Sequence, residues 1–252
     1  MNNYTIAITT FSLRLNMIES LVGQIRNQTD RRILICVNGE KDGNFTDVYR
    51  KKILELCMSY TEVYPIFFIE IRGLAKMWNT LLSHSNEHHV MLLNDDVSIL
   101  NNDIFDKTQY HINSADFSGL TLINSSFSHY IVDRRFIDKL GYFDERLLGF
   151  GEEDGDIIFR MSKYGYKHSL LWVSGLVNMI SQIRHEHVKK GSINNVEHKY
   201  SHFNRDFIYG KKYKTDFNSP NKGMFDTPME QVIEDIKVYP YESFFWDNKN
   251  NL

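Results

Sequence analysis

Residues 4–93 alternate between strand-like apolar runs and stripes with helical spacing, and that alternation constrains the fold more than any other feature. Residues 4–10 read as a strand. Met17, Ile18, Leu21, Val22 and Ile25 then recur at intervals that share one helix face. Ile33-Leu34-Ile35-Cys36-Val37 is unbroken apolar sequence, as expected of a strand buried on both sides. A helix over 47–60 and a strand over 63–71 follow. Leu74, Met77, Trp78, Leu81 and Leu82 form another helical stripe, and 90–93 is a fourth strand. The order βαβαβαβ predicts a mainly parallel sheet with helices on both faces. In such sheets ligands gather at the carboxyl ends of the strands, which here are segments 9–14, 38–42 and 94–97.

Beyond residue 101 the rhythm breaks up. Segments 117–123, 129–132, 168–173 and 177–183 read as strands, 134–140 as a short helix and 154–164 as a longer one. From Arg184 onward the chain is polar, with basic and aromatic residues mixed, and reads as a partly ordered tail with room to move. With 252 residues and 42% hydrophobic content the chain can bury a sizeable core. A net charge of −3 argues against general nucleic-acid binding. Apolar runs fall short of the roughly 18 residues a membrane span needs, and the N-terminus lacks a signal-peptide pattern. Cys36 and Cys57 sit in apolar and helical patterns that suggest neither a disulfide framework nor a metal site. A soluble, cytoplasmic chain without an obvious linker or internal repeat is the expectation.

Three polar segments carry chemistry. Glu152-Glu153-Asp154-Gly155-Asp156 places four carboxylates in five positions, directly before the helical pattern Ile157, Ile158, Met161 and Tyr164. Such crowding is tolerated where a helix N-terminus or a cation offsets the repulsion, and an ionised carboxylate there can serve as a general base. It also fits an ordinary acidic helix start. Leu92-Leu93-Asn94-Asp95-Asp96-Val97 releases two carboxylates from the end of a buried strand. Hard oxygen ligands of this kind suit a magnesium- or manganese-type ion, although a polar turn looks the same. Ile183-Arg184-His185-Glu186-His187-Val188-Lys189-Lys190-Gly191 offers imidazoles to complete such a site and cations for a diphosphate, or simply a solvated basic stretch.

Together these residues resemble the GT-A-fold, nucleotide-sugar-dependent glycosyltransferases over most of positions 4–192. Gly141-Tyr142-Phe143-Asp144-Glu145 followed by Gly149-Phe150-Gly151-Glu152-Glu153-Asp154-Gly155-Asp156 is similar to the family-2 pattern G-x-F-D-E … G-x-E-D-x-D. It is also similar to the GWGGEDDD segment of β-1,4-galactosyltransferases. Asn94-Asp95-Asp96 falls at the family's DxD metal motif. Arg72-Gly73-Leu74-Ala75-Lys76-Met77-Trp78-Asn79 resembles its donor-side N-x-G-x-A-x-A-x-N. Thr10-Phe11-Ser12-Leu13-Arg14 and Ile183-Arg184-His185 match the places of P-F-R-N-R and I-R-H in the galactosyltransferases.

The resemblance implies a Rossmann-like α/β domain spanning the chain. A nucleotide-sugar-binding half (about 1–100) would be followed by an acceptor half (about 101–200) and a polar C-terminal extension. It implies an inverting hexosyl transfer from a nucleotide-sugar donor, with a UDP-sugar the first expectation, to a glycan or lipid-linked glycan acceptor. Polysaccharide biosynthesis and contact with a membrane surface are compatible settings. Asp154 would be the general base and Glu153 an acceptor contact. Thr9, Thr10, Phe11, Arg14, Lys76, Asn79, Asn94 and Asp95 would face the donor. Asp96 with His185 or His187 would hold a divalent ion, Mn2+ or Mg2+. His187 competes with His185 because it also has the family's H-x-x-x-x-S spacing to Ser192. Asn94 departs from the first Asp of DxD, and the base-reading Asp after the second strand has no clear counterpart among residues 37–42. A nucleotidylyltransferase would want a glycine-rich loop after the first strand, where Thr9 to Arg14 has no glycine. A non-catalytic carbohydrate- or nucleotide-binding module on the same scaffold is the other alternative. Segment 184–200 would act as a lid that orders on metal and donor.

Overall fold

The computed structural model describes residues 4–11, 14–39, 47–69, 71–179 and 201–213. His185, His187 and the proposed lid lie outside these residues. The parallel half follows the expected order. It runs β1 (Tyr4–Thr10), α1 (Leu15–Arg26), β2 (Ile33–Val37), α2 (Asp47–Met58), β3 (Val63–Phe67), α3 (Leu74–His84) and β4 (His89–Asn94). β5 (Val97–Ile99), α4 (Ile104–Ile112), β6 (Leu120–Ile123), β7 (Ser126–Asp133), α5 (Arg134–Leu140) and α6 (Glu153–Lys163) come next. β8 (Ser169–Leu171), β9 (Leu176–Asn178) and α7 (Ser201–Asp206) complete it, with α7 running into a π-helical turn at Phe207–Lys212.

The central sheet has seven strands in the order β3-β2-β1-β4-β7-β6-β8. β3, β2, β1 and β4 are mutually parallel, whereas β7 runs antiparallel to both β4 and β6. Pro65 sits in β3, the edge strand, where a missing N–H does least harm to the ladder. β5 and β9 form a separate antiparallel pair beside the end of β4.

Strand alternation divides the core into two layers. Tyr4, Ile6 and Ile8 of β1, with Ile33, Ile35 and Val37 of β2, meet Ile18, Leu21, Val22 and Ile25 of α1 and Tyr49, Ile53 and Cys57 of α2. Ala7, Leu34, Cys36, Val90 and Leu92 face the other way. They pack under Met77, Trp78, Leu81 and Leu82 of α3, Ile137 and Leu140 of α5 and Ile157 of α6. α1 has no side-chain cap, so its buried stripe must hold it. Each such side chain contributes about 1.5–3 kcal/mol, and Ile18→Ala would cost about 2–5 kcal/mol.

Local readings change, as at the strand expected over 63–71, which ends at Phe67. The strand expected over 117–123 begins only at Leu120. Gly119 has φ 94° and turns the chain so tightly that a Cβ would meet Phe136 at 2.5 Å. α4 escaped the sequence reading although Ile104, Phe105, Thr108 and Ile112 share its buried face. The tail, read as partly ordered, has an ordered part within residues 201–213, where Asn204, Ile208, Lys212 and Tyr213 are buried. Their polar atoms find partners inside the domain, as described next.

Candidate active site

The end of β4 is tied to the end of β1 by one carboxylate. Asp95 is buried and accepts from Thr10 Oγ1 at 2.8 Å and from Arg14 Nη1 at 2.7 Å. Burial pushes its carboxyl up to about 6, against the pull of Arg14 and Thr10. Arg14 lies over the Phe11 ring at 4.4 Å, and Tyr49 donates to the Phe11 carbonyl at 2.9 Å, which holds this loop. Thr9 Oγ1 donates to Asn94 Oδ1 at 3.4 Å. Asp96 is differently placed. Its carboxylate is 4.0 Å from Arg14 Nη1 and accepts one long bond of 3.4 Å from Asn178 Nδ2. Burial raises its pKa above the ordinary carboxylate value, with Arg14 opposing. Asp95 is therefore an anchor, while Asp96 keeps lone pairs for something else.

A second line of bonds runs from β1 through β2 to the start of α3. The Asn38 N–H donates to the Thr10 carbonyl at 2.8 Å. Asn38 Oδ1 accepts from the N–H groups of Gly39 (3.0 Å) and Arg72 (2.7 Å), and Nδ2 donates to the Arg72 carbonyl at 2.9 Å. A residue with no counterpart to the base-reading Asp thus serves as a backbone clamp. Gly73 follows, so close to the next loop that a Cβ would lie 2.9 Å from the Leu147 carbonyl. The Leu74 N–H donates to the Gly149 carbonyl at 2.6 Å, which joins this segment to the acidic loop.

Lys76 pairs with Glu145 Oε2 at 3.2 Å. Asn79 uses both ends of its amide internally, donating to the Phe143 carbonyl and to Glu145 Oε1 at 2.8 Å each and accepting from the Phe143 N–H at 3.0 Å. Both ends of the Asn79 amide are thus spent on Phe143 and Glu145.

The acidic loop folds through left-handed backbone at Gly149 (φ 53°), Gly151 (φ 122°) and Glu152 (φ 74°). Only the two glycines enter that region without steric cost. Glu153 opens α6 and is 3% exposed, with Oε2 accepting from the Gly151 N–H at 2.7 Å. Its Oε1 has no hydrogen-bond partner among the described residues, and neither does the buried Tyr130 hydroxyl. Burial, with Asp154 and Glu152 nearby, pushes the Glu153 carboxyl up to about 8, so it is mostly protonated at neutral pH. Asp154 is exposed, with Oδ1 accepting from the Gly155 N–H at 2.9 Å. Two neighbouring carboxyls thus differ in what they offer: one buried and neutral, the other open to solvent.

Beneath them lies a buried ionic network. Asp156 accepts from Lys212 Nζ at 2.7 Å and Tyr213 Oη at 2.6 Å, and pairs with Arg160 Nε at 3.1 Å. Asp144 takes Lys212 Nζ at 2.6 Å and a fork of bonds from Arg146 Nε and Nη2 at 2.9 and 2.6 Å. Burial alone would raise Asp144, but Lys212 and Arg146 prevail and hold its carboxyl far below the usual range.

Each sequence-predicted residue among the described ones therefore has a place. Thr9, Thr10, Phe11, Arg14, Asn94, Asp95 and Asp96 cluster where β1 and β4 end. Lys76 and Asn79 gather on Glu145, and Glu153 and Asp154 stand at the start of α6. Sequence reasoning missed Asn38, Glu145, Asn178, Tyr130, Asn204 and Lys212. Glu145 could have been found, because it closes the GYFDE match; the others lack a local signal.

No protein-family model matches the sequence, and no curated protein does. Solved structures do. The chain is similar to a mannosyltransferase, PcManGT from Pyrobaculum calidifontis in complex with GDP-Man and Mn2+, at 14% identity and TM-score 0.55, over 68% of this chain and 56% of that one. It is similar to GalNAc-T7 with UDP, GalNAc and Mn2+ at 10% identity and TM-score 0.55, over 69% of this chain and 43% of that one. It is also similar to TarS residues 1–349 of S. aureus, at 13% identity and TM-score 0.55, over 87% of this chain and 75% of that one. The chain spans about half the length of the first two. The fold is the GT-A fold of nucleotide-sugar glycosyltransferases.

Among the described residues no three His, Cys, Asp or Glu converge as a metal cluster. A divalent ion still fits the local chemistry at Asp96, a mostly buried carboxylate whose described partners include one long bond, its own backbone N–H and a distant guanidinium. No helix among the described residues is long and apolar enough to cross a membrane.

Proposed function

We propose that this chain is a divalent-metal-dependent, inverting glycosyltransferase that moves a sugar from a nucleotide-sugar donor to a hydroxyl of a glycan acceptor. The observation that carries the reading is Asp154. It is an exposed carboxylate at a helix N-terminus, on a loop bonded to the segment before α3 and so brought to the carboxyl ends of the parallel strands. Asp154 takes the proton of the acceptor hydroxyl as that oxygen attacks the anomeric carbon. The new C–O bond forms on the face opposite the breaking bond to the diphosphate, which departs with the nucleoside. Arg14, held by Asp95 and Phe11, and Lys76, held by Glu145, are placed to meet donor oxygens as point charges. Thr9, Thr10 and Asn94 line the same end. Asp96, with His185 or His187, would hold the divalent ion, which when bound supplies positive charge against the leaving diphosphate. Glu153, carrying its own proton, can donate as well as accept toward sugar hydroxyls.

The donor base is open between uracil and guanine, since GDP-Man and UDP accompany two of the similar structures. A lipid-linked acceptor would bring the chain to a membrane surface, within polysaccharide assembly. A thermal-shift screen of nucleotide sugars with Mn2+ tests the reading, because a ligand of the native state raises stability with the logarithm of its saturation. Stabilisation by one nucleoside diphosphate sugar, followed by transfer to a glycan, is the expected result. No stabilisation by any of them would remove the reading.

A further inference from the structure

Asn204 lies on α7, some fifty residues after the acidic loop, and is fully buried. Its side chain treats Leu148 as a strand would: Oδ1 accepts from the Leu148 N–H at 2.8 Å and Nδ2 donates to the Leu148 carbonyl at 2.9 Å. The second Nδ2 hydrogen reaches the Gly151 carbonyl at 2.8 Å. One amide thus satisfies three backbone groups, two at buried Leu148 and one at half-buried Gly151, on either side of Gly149 and Phe150. Beside it, Arg205 Nη2 pairs with Glu152 Oε1 at 2.7 Å.

The bonds fall where the loop is least able to hold itself. Gly149, Gly151 and Glu152 all have positive φ, and glycine brings more backbone freedom to be quenched than any other residue. Its other ties among the described residues include the Gly149 carbonyl on Leu74 and the Gly151 N–H on Glu153. Asp154 hangs directly from this loop.

We infer that Asn204 is a positioning residue for the proposed transfer. Through Leu148 and Gly151 it fixes the loop that aims Asp154, so segment 201–213 is part of the active site's support. The inference rests on the functional reading above for its catalytic consequence, while the clamp itself can be tested without it.

The experiment uses the full chain with Asn204→Ala, Asn204→Asp and Tyr213→Phe. Asn204→Asp keeps the shape and the bond from the Leu148 N–H but sets a carboxylate oxygen against two carbonyls. Tyr213→Phe weakens the same segment at Asp156 and leaves the bonds to Leu148 and Gly151 in place. At a temperature where all are folded, both Asn204 variants should lose about 10- to 100-fold in turnover at saturating donor, the scale of misplacing a reacting group by about an ångström. Donor KM, and the affinity for UDP or GDP with Mn2+, should stay unchanged, and hydrogen exchange should quicken across 148–156. Tyr213→Phe should lower Tm yet keep turnover, and keep exchange across 148–152. Equal turnover losses in all three variants, or none in the Asn204 variants, would overturn the inference. So would failure of both Asn204 variants to fold, because the role would then be global. If the wild-type chain transfers no sugar, the functional reading fails, and unchanged exchange across 148–156 would then sink the clamp separately.

Discussion

The two acidic clusters, Asp95-Asp96 at the end of β4 and Glu153 to Asp156 at the start of α6, look alike in sequence and are built on the same division of labour. Each has a buried member tied to cations or hydroxyls and an adjacent member left available. Asp95 is tied to Arg14 and Thr10, and Asp156 to Lys212, Tyr213 and Arg160. Asp96 and Asp154 keep unfilled lone pairs. The clusters differ in how the buried charge is met. Asp95 lies near a partly exposed arginine and has its pKa raised, whereas the Asp156 network is sealed with its own lysine. Same-charge neighbours become anchors or working groups according to burial and partners, which residue type alone does not reveal.

The comparison breaks first at Asp154. Asp154→Asn should leave donor binding intact and lower turnover by about two to four orders of magnitude, the usual contribution of a general base. Near-normal turnover in a folded variant would move the base elsewhere. The anchor of that cluster is tested by Lys212→Met. Removing one partner of a buried ion pair costs about 3–5 kcal/mol, read as a large drop in the denaturation midpoint. A loss below about 1 kcal/mol would mean that Arg146 and Arg160 suffice.

Asp96→Ala probes the working member of the other cluster. Mn2+ should no longer strengthen binding of the nucleoside diphosphate, a loss of at least the roughly 10- to 100-fold seen when an outer-shell metal partner is removed. Excess chelator should stop transfer by the wild type. Full turnover in chelator would end the metal assignment.

The smallest effect sharpens the status of Glu153. Its carboxyl rises from 4.5 to about 8 in the folded state. The native chain therefore holds a proton that the unfolded chain releases. The stabilisation is complete below about 4.5 and is lost as pH climbs through about 8. Glu153→Gln, which mimics the protonated form, should flatten the pH dependence of stability across that window while the fold persists. An unchanged slope between wild type and variant would show that Glu153 is ionised at neutral pH.

Much of this was legible beforehand. Ile33 to Val37 read as a doubly buried strand, and the three helix-strand alternations dictated the parallel half, because hydrophobic period is a local property of the chain. Asn94-Asp95-Asp96 and Glu153-Asp154 announced themselves by charge density at element ends. The roles inside those motifs were not legible. Asp95 and Asp96 are adjacent, and only the arrival of Thr10 and Arg14 across the sheet distinguishes them. Asn79 matched a donor-side motif yet bonds Phe143 and Glu145.

What the sequence determined by itself is therefore the periodic part: which segments of the parallel half are strands and helices, which faces they bury, and where polar groups leave the sheet. Tertiary structure decided the partners. Lys212 sits in a polar stretch with no hydrophobic period to mark it as core, and it is buried only because Asp144 and Asp156 wait for it there. Burying such a charge is tolerable when opposite charges more than fifty residues away are already in place, a condition that no window of sequence contains.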